Sequence, residues 1–397
     1  MEAYLDHNAT TPLRPEVQEA MAEVIGRGLR NPSSVHLPGR LARQRLRQAR
    51  GVVALALGAE PEEIVFTGGG SEAINLALKG AFFAGGGERP HLVTTRVEHP
   101  AVLRACEWLT SQGAEVTYLP VDSRCRLDPE QAVAAFTDRT VLVSLMHANN
   151  EVGALLPVAQ VAAAARERGI LVHVDAVQTV GKLPVNVEEL HCDLLSLSGH
   201  KFYGPAGVGA LYVRQGTPLA PLVHGGGQER GLRGGTENLP GIVGLATALE
   251  LALVEAPELT TRYRELRPIL EGLEQELPAV RLNSPRENCL AHTVNLSFLY
   301  VDGMALTLNL SLKGVYASVA SACQAHGQLP SHVLKAMGLT DQAALGAVRF
   351  SLGRGTDEAQ VRYAREQTVE IAQKLRLVTV PEDIGKCEQD CPCFLET

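Results

Sequence analysis

Lys201 closes the run Leu194-Leu195-Ser196-Leu197-Ser198-Gly199-His200, whose apolar residues read as a buried strand and whose glycine permits a tight turn. An amine at the end of such a strand sits in a partly dry pocket beside a histidine, where its pKa can fall and its neutral form can make a Schiff base. Upstream, Leu171-Val172-His173-Val174-Asp175-Ala176 is a second apolar strand, ending in a carboxylate with Gln178 shortly after it. A carboxylate at the C-terminal end of a buried strand points into the crevice where open α/β sheets bind ligands. It needs a cationic partner, and a pyridinium nitrogen is one: an ionised aspartate keeps that nitrogen protonated and makes the ring an electron sink. A third piece, Ile64-Val65-Phe66-Thr67-Gly68-Gly69-Gly70-Ser71-Glu72-Ala73, reads as a strand, a glycine turn and the start of a helix. The glycines allow close backbone approach, Ser71 offers a hydroxyl, and the helix N-terminus offers unpaired N–H groups, which together suit a phosphate. It is neither a Walker loop nor a dinucleotide fingerprint. Taken singly, each piece has a plainer alternative: a solvated loop lysine, an aspartate capping the next helix, an ordinary tight turn.

Strand-end lysine, strand-end aspartate and glycine–helix phosphate cradle in combination describe an enzyme that uses pyridoxal 5'-phosphate (PLP). The chain resembles the class V aminotransferase group and, within it, the cysteine desulfurases and selenocysteine lyases, over about residues 3 to 375. Besides the segments above, the matching motifs are Tyr4-Leu5-Asp6-His7-Asn8-Ala9-Thr10-Thr11-Pro12, Val97-Glu98-His99, Asn149-Asn150-Glu151-Val152-Gly153, His224-Gly225-Gly226-Gly227-Gln228-Glu229-Arg230, Arg233-Gly234-Gly235-Thr236, Ser321-Ala322-Cys323 and Arg349-Phe350-Ser351, in the family's order.

The resemblance implies roles. Lys201 would carry the cofactor as a Schiff base and remove the substrate's Cα proton. Asp175 would pair with the ring nitrogen, Gln178 would donate to the phenolic oxygen, and His99 would stack on the ring, with a helix-capping histidine as the alternative. Gly70, Ser71, Ser198 and His200 would contact the phosphate; the family usually has Thr where Ser71 stands, so the hydroxyl survives. Thr236 would reach the phosphate of the neighbouring subunit in a homodimer. Asn150 would touch cofactor and substrate, and Arg349 would fix the substrate carboxylate, since a guanidinium matches a carboxylate bidentately. Arg354 competes for that role but reads better as an ion-pair residue.

Cys323 separates activities that share everything so far. Its surroundings, Ala317 to Pro330, are small and polar, as a mobile loop carrying sulfur would be. A thiolate there could attack the substrate's Sγ, leaving alanine and a persulfide. The expected activity is therefore a cysteine desulfurase, with L-cysteine as substrate and a sulfur acceptor such as an iron–sulfur scaffold or thiolation enzyme. The run around Cys323 departs from the commoner Ser-Ser-Gly-Ser-Ala-Cys-Thr-Ser pattern and leans toward selenocysteine lyases, so L-selenocysteine lyase activity is the alternative. A PLP aminotransferase or lyase that mobilises no sulfur, and a non-catalytic descendant, stay open as well. His326 could lower the thiol's pKa, although a solvated loop histidine is the plainer reading. Cys387, Cys391 and Cys393 form a tail outside the family pattern. With no fourth ligand nearby, a zinc site is weakly supported, no metal is expected, and a disordered tail is favoured.

The elements that must position these residues follow from composition and periodicity. With 397 residues at 45% hydrophobic content, the chain can bury a large core, and its length suggests two domains. Alternating strands and helices from 14 to 250 indicate a PLP-binding large domain with a mostly parallel sheet. Residues 1–13 and 262–378 are expected to form a smaller α+β domain, with strands at Thr293–Phe298 and Ala347–Leu352. The whole would be an α/β PLP-dependent transferase of fold type I, with residues 379–397 as a cysteine-containing tail. A linking helix is expected over about 245–277, interrupted near Pro257. The formal charge of −8 argues against a generic nucleic-acid surface. No leader precedes the first motif, no apolar stretch looks long enough for a bilayer, and eight cysteines lack a framework pattern, so a cytoplasmic protein is expected.

Overall fold

The computed structural model describes residues 1–85, 90–319, 329–377 and 393–395. The chain enters through a two-residue strand, β1 (Ala3–Tyr4). Seven strands then form the largest sheet: β2 (Ile64–Thr67), β3 (His91–Thr95), β4 (Glu115–Leu119), β5 (Thr140–Met146), β6 (Leu171–Asp175), β7 (Leu194–Ser198) and β8 (Gly209–Val213). Their spatial order is β2-β8-β7-β6-β5-β3-β4. All pairs are parallel except those made by β8, which runs antiparallel to both β2 and β7. Two reversals cancel, so β2, β6 and β7 point the same way and end at one edge.

Helices cover both faces, and the two-residue side-chain period shows it. Leu92, Leu142, Leu194 and Leu211 enter one apolar cluster with the Gly70–Gly85 and Pro100–Ser111 helices. Their neighbours Val93, Val143, Leu195 and Tyr212 enter the other, with the Leu37–Leu57 and Val158–Glu167 helices.

A second sheet of four strands, β9 (Val280–Leu282), β10 (Thr293–Phe298), β12 (Ser318–Val319) and β13 (Ala347–Ser351), has the order β12-β13-β10-β9 and is antiparallel throughout. Between them in the chain, β11 (Val315–Tyr316) pairs in parallel with β1, and Asp6 bridges Ser351, so the N-terminus joins this second unit. Its core is separate, built on Leu5, Leu296, Phe298, Val348 and Phe350 with the Glu358–Arg376 helix.

Three expectations need correction. The long helix runs from Leu239 to Glu271 and starts before Leu245; it continues through Pro257 and Pro268. A mid-helix proline costs ~3 kcal/mol, but Pro257 lies on the exposed side, where water can satisfy the carbonyl it frees. Ala252 and Ala256 before it, and Tyr263 and Leu266 after it, are buried in the two cores, so packing on both sides outweighs the break. Secondly, this same helix is long and apolar enough to cross a bilayer by length and composition, contrary to the sequence reading. Half of its most apolar window is buried, against the Pro15–Gly26 and Leu37–Leu57 helices among others, as in a core helix. Thirdly, the tail is not wholly free: Phe394 is fully buried in the larger core, Leu395 bridges Leu339, and the Cys393 carbonyl accepts the Thr340 hydroxyl at 2.8 Å.

Candidate active site

Lys201 and Asp175 are placed by neighbouring parallel strands. Asp175 closes β6 opposite Ser196 of β7, and β7 leads through Ser198 into the Gly199–Lys201 turn. The glycine loop after β2 reaches the same edge because Gly209 stands opposite both Thr67 and Ser198. A Cβ at Gly209 would lie 2.6 Å from the Leu197 carbonyl oxygen and 2.7 Å from the Gly69 carbonyl carbon, so only a bare backbone lets loop and lysine strand meet. Gly70 is equally constrained, since a Cβ there would stand 2.9 Å from Val177 Cγ2. It opens the Gly70–Gly85 helix, whose first backbone bond joins Ala73 N–H to Gly69 O at 3.1 Å. The N–H groups of Gly70, Ser71 and Glu72 therefore have no acceptor among the described residues, which makes an anion site.

One cavity of about 290 Å³ brings together Gly70, Ser71, His99, Asn150, Asp175, Gln178, Ser198, His200, Lys201 and Arg349. Thr236 is exposed, between the Gln228–Gly231 turn and the long helix, and does not line it. Cys323, His326, Cys387 and Cys391 lie outside the described residues.

The electrostatics divide the cavity. Burial pushes the Asp175 carboxyl up to about 6, opposed by the Val177 N–H, which donates to it at 3.0 Å, and by the Lys201 charge. His99 is pushed down to about 4 by burial, with the Lys201 and His332 charges adding. Its Nδ1 accepts the Ala101 N–H at 3.1 Å, capping the Pro100–Ser111 helix, so the proton of the neutral ring sits on Nε2. His99 thus caps the helix and lines the cavity at once. His200 is also pushed down to about 4, by burial and then by Lys201 and Lys182, and its Nδ1 faces the Thr10 hydroxyl at 3.1 Å. Lys201 Nζ donates to the carbonyls of Asn8 (2.7 Å) and Ala9 (2.8 Å).

Arg349 is 4% exposed. It donates to the Asn150 carbonyl at 3.0 Å and to Asp6 Oδ1 at 2.7 Å, while its Nε is buried without a partner. Arg354, by contrast, is half-exposed and paired with Glu255 at 3.0 Å, the structural part expected for it.

Sequence reasoning missed several groups. Asn8 sits in a quoted motif but received no role. Yet it accepts from Lys201 and Gln178 through its carbonyl, and its side chain bonds Thr293 and His292 at 2.9 Å each. Lys182 was missed too, although its place four residues after Gln178 was a signal. Glu98 is wholly buried and pushed up to about 8 by burial, with the Asp175 charge adding. Glu151 is pushed up to about 7 by burial and accepts the Ser331 hydroxyl at 2.5 Å.

The model of the family described as aminotransferase class-V matches residues 3–363. The chain belongs to that family. It is 46% identical to "Cysteine desulfurase IscS" of Dictyoglomus turgidum over 379 residues, 95% of this chain and 96% of that protein. It is 46% identical to the protein of the same name from Methanosarcina thermophila over 374 residues, 94% and 92% of the two chains. Among solved structures, a NifS-like protein superposes with a TM-score of 0.88 at 40% identity, covering 95% of this chain and all of that one. "SspA in complex with cysteine" superposes with a TM-score of 0.79 at 40% identity, over 88% and 98%. Class V members with these relatives use PLP, and the donor set fits it. Free helix N–H groups, two serine hydroxyls and a histidine suit a phosphate, and a buried carboxylate in the same cavity suits a pyridinium nitrogen.

Proposed function

We propose that this class V protein is a PLP-dependent cysteine desulfurase that converts L-cysteine to L-alanine and leaves the sulfur as a persulfide on Cys323. The observation that carries the reading is the sharing of one cavity by Lys201, Asp175 and Arg349. It is supported by the names of the relatives and by the cysteine bound to SspA. Gly70, Ser71, Ser198 and His200 would hold the phosphate, with Thr236 contributed across a homodimer interface. His99 would cover the ring face, Gln178 would donate to the phenolic oxygen, and Asp175 would keep the ring nitrogen protonated. When bound, PLP supplies an electron sink next to Cα. Arg349 and Asn150 orient the amino acid by its carboxylate, and Lys201 takes the Cα proton and returns one. The Cys323 thiolate attacks Sγ, a sulfur–sulfur bond forms, the carbon–sulfur electron pair stays with carbon, and protonation gives alanine.

The second apolar core, built from Ala3 and Leu5 with residues between Tyr263 and Ala372, supports a small domain of 1–13 with 262–378, although Val333, Leu334, Met337, Leu339, Ala343 and Ala344 of that stretch pack into the larger core of the 14–250 domain. We place the enzyme in the cytoplasm, where reduced thiols suit the reaction, with a protein such as an iron–sulfur scaffold as sulfur acceptor. The test is alanine formation from L-cysteine by purified, PLP-loaded protein. Turnover in the wild type and its loss in Lys201→Ala are expected. Turnover of L-selenocysteine alone would establish the lyase alternative instead.

A further inference from the structure

Lys182 is part-buried, with no carboxylate within ion-pair distance of its amine among the described residues. Its Nζ donates to the carbonyl of Gln178 at 3.2 Å and to the side-chain Oε1 of Gln178 at 2.9 Å. The other end of that amide, Nε2, donates to the Asn8 carbonyl at 3.1 Å, the oxygen that also takes the Lys201 amine at 2.7 Å. Flipping the amide would set nitrogen against amine and oxygen against carbonyl, losing both bonds, so its orientation is determined from both sides. Lys182 lies behind the site, lining a second, small cavity with His7, Tyr203, Tyr263 and His292. Burial pushes its pKa down to about 7, with the Lys201 and Arg349 charges adding, and the amine donates N–H in either protonation state. Burying an amine without a counter-charge costs stability. An apolar side chain of the same length would fold at least as well.

We propose that Lys182 is a positioning residue: by holding the oxygen of the Gln178 amide it keeps the amide N–H₂ turned toward Lys201, where the phenolic oxygen of the cofactor needs a donor. This rests on the PLP reading above. Without Lys182 the amide loses one of its two anchors, and only the Asn8 carbonyl then opposes a turn that presents an oxygen, which repels a phenolate. Arginine keeps a donor at this point, whereas methionine removes it and retains the apolar stem.

The test is titration of PLP into apo protein, read as affinity and as the position of the visible band, together with thermal unfolding of the apo form. For Lys182→Met, PLP affinity is expected to fall about tenfold, roughly what one positioned hydrogen bond contributes. The band should shift, and the apo melting temperature should stay unchanged or rise. Lys182→Arg should recover most of the affinity. In the Gln178→Ala background, Lys182→Met should add little, because the residue acts through the amide. An equal loss in both backgrounds, no loss in either, or a melting temperature that falls in step with affinity would overturn the proposal. Failure of the wild type to take up PLP at all would instead overturn the cofactor reading on which it rests.

Discussion

Asp6 takes one arm of the Arg349 guanidinium at 2.7 Å, tying the N-terminal segment to β13 through a residue that lines the cavity. The Asn150 carbonyl takes another arm at 3.0 Å, and the buried Nε has no partner. A charged donor kept dry and unsatisfied is costly unless a ligand completes it. Arg349→Ala should therefore weaken L-cysteine binding by about 2–5 kcal/mol, seen as a raised KM. PLP binding at Lys201 should be retained. Unchanged steady-state kinetics would move the carboxylate site elsewhere.

Sulfur transfer makes a covalent prediction. Mass spectrometry after brief exposure of the protein to L-cysteine should find one added sulfur on the peptide containing Cys323. Cys323→Ser should still bind PLP yet form almost no alanine. Full activity in Cys323→Ser, with the added sulfur only on Cys387, Cys391 or Cys393, would make the tail the first acceptor.

Glu98 Oε1 accepts from the Thr95 hydroxyl at 2.8 Å and the Met146 N–H at 3.1 Å, while its Oε2 is buried and unpartnered. Burial raises its pKa from 4.5 to about 8, so the folded protein holds a proton there that the unfolded chain releases. The favoured proton is fully lost only above the raised value. The contribution of Glu98 to stability thus declines as pH rises from about 4.5 through about 8. Glu98→Gln cannot lose that proton. Denaturant unfolding of wild type and variant at pH 5 and pH 8.5 should show the wild type losing ground to Glu98→Gln as pH rises. Parallel behaviour would refute a titrating Glu98.

Phe394 tests the tail. It is fully buried beside Leu339, and the Phe394 carbonyl accepts the Thr340 N–H at 2.9 Å. Phe394→Ala should lower stability by roughly 3 kcal/mol, the lower end for a buried Phe truncation. A melting temperature equal to wild type would show that the ring is not seated in solution.

The strand ends that carry Lys201, Asp175 and Ser71 were legible in the sequence alone. Lys201, Asp175 and the loop before Ser71 sit at strand ends, and strand ends are marked locally, by apolar runs that stop at glycine or a polar residue. The strands Leu171–Asp175 and Thr293–Phe298 were legible for the same reason. Non-local relations were not legible. Nothing in the local pattern near Asn8 announces that its carbonyl will accept from Lys201 and Gln178, since those contacts span more than 160 residues and exist only once the two units close. Pro257 looked like a helix break because propensity is local, whereas the two cores that override it are assembled from distant segments. The pKa values of Glu98 and Lys182 belong to the tertiary structure for the same reason: desolvation is a property of the surroundings, and only folding decides which side chains those are.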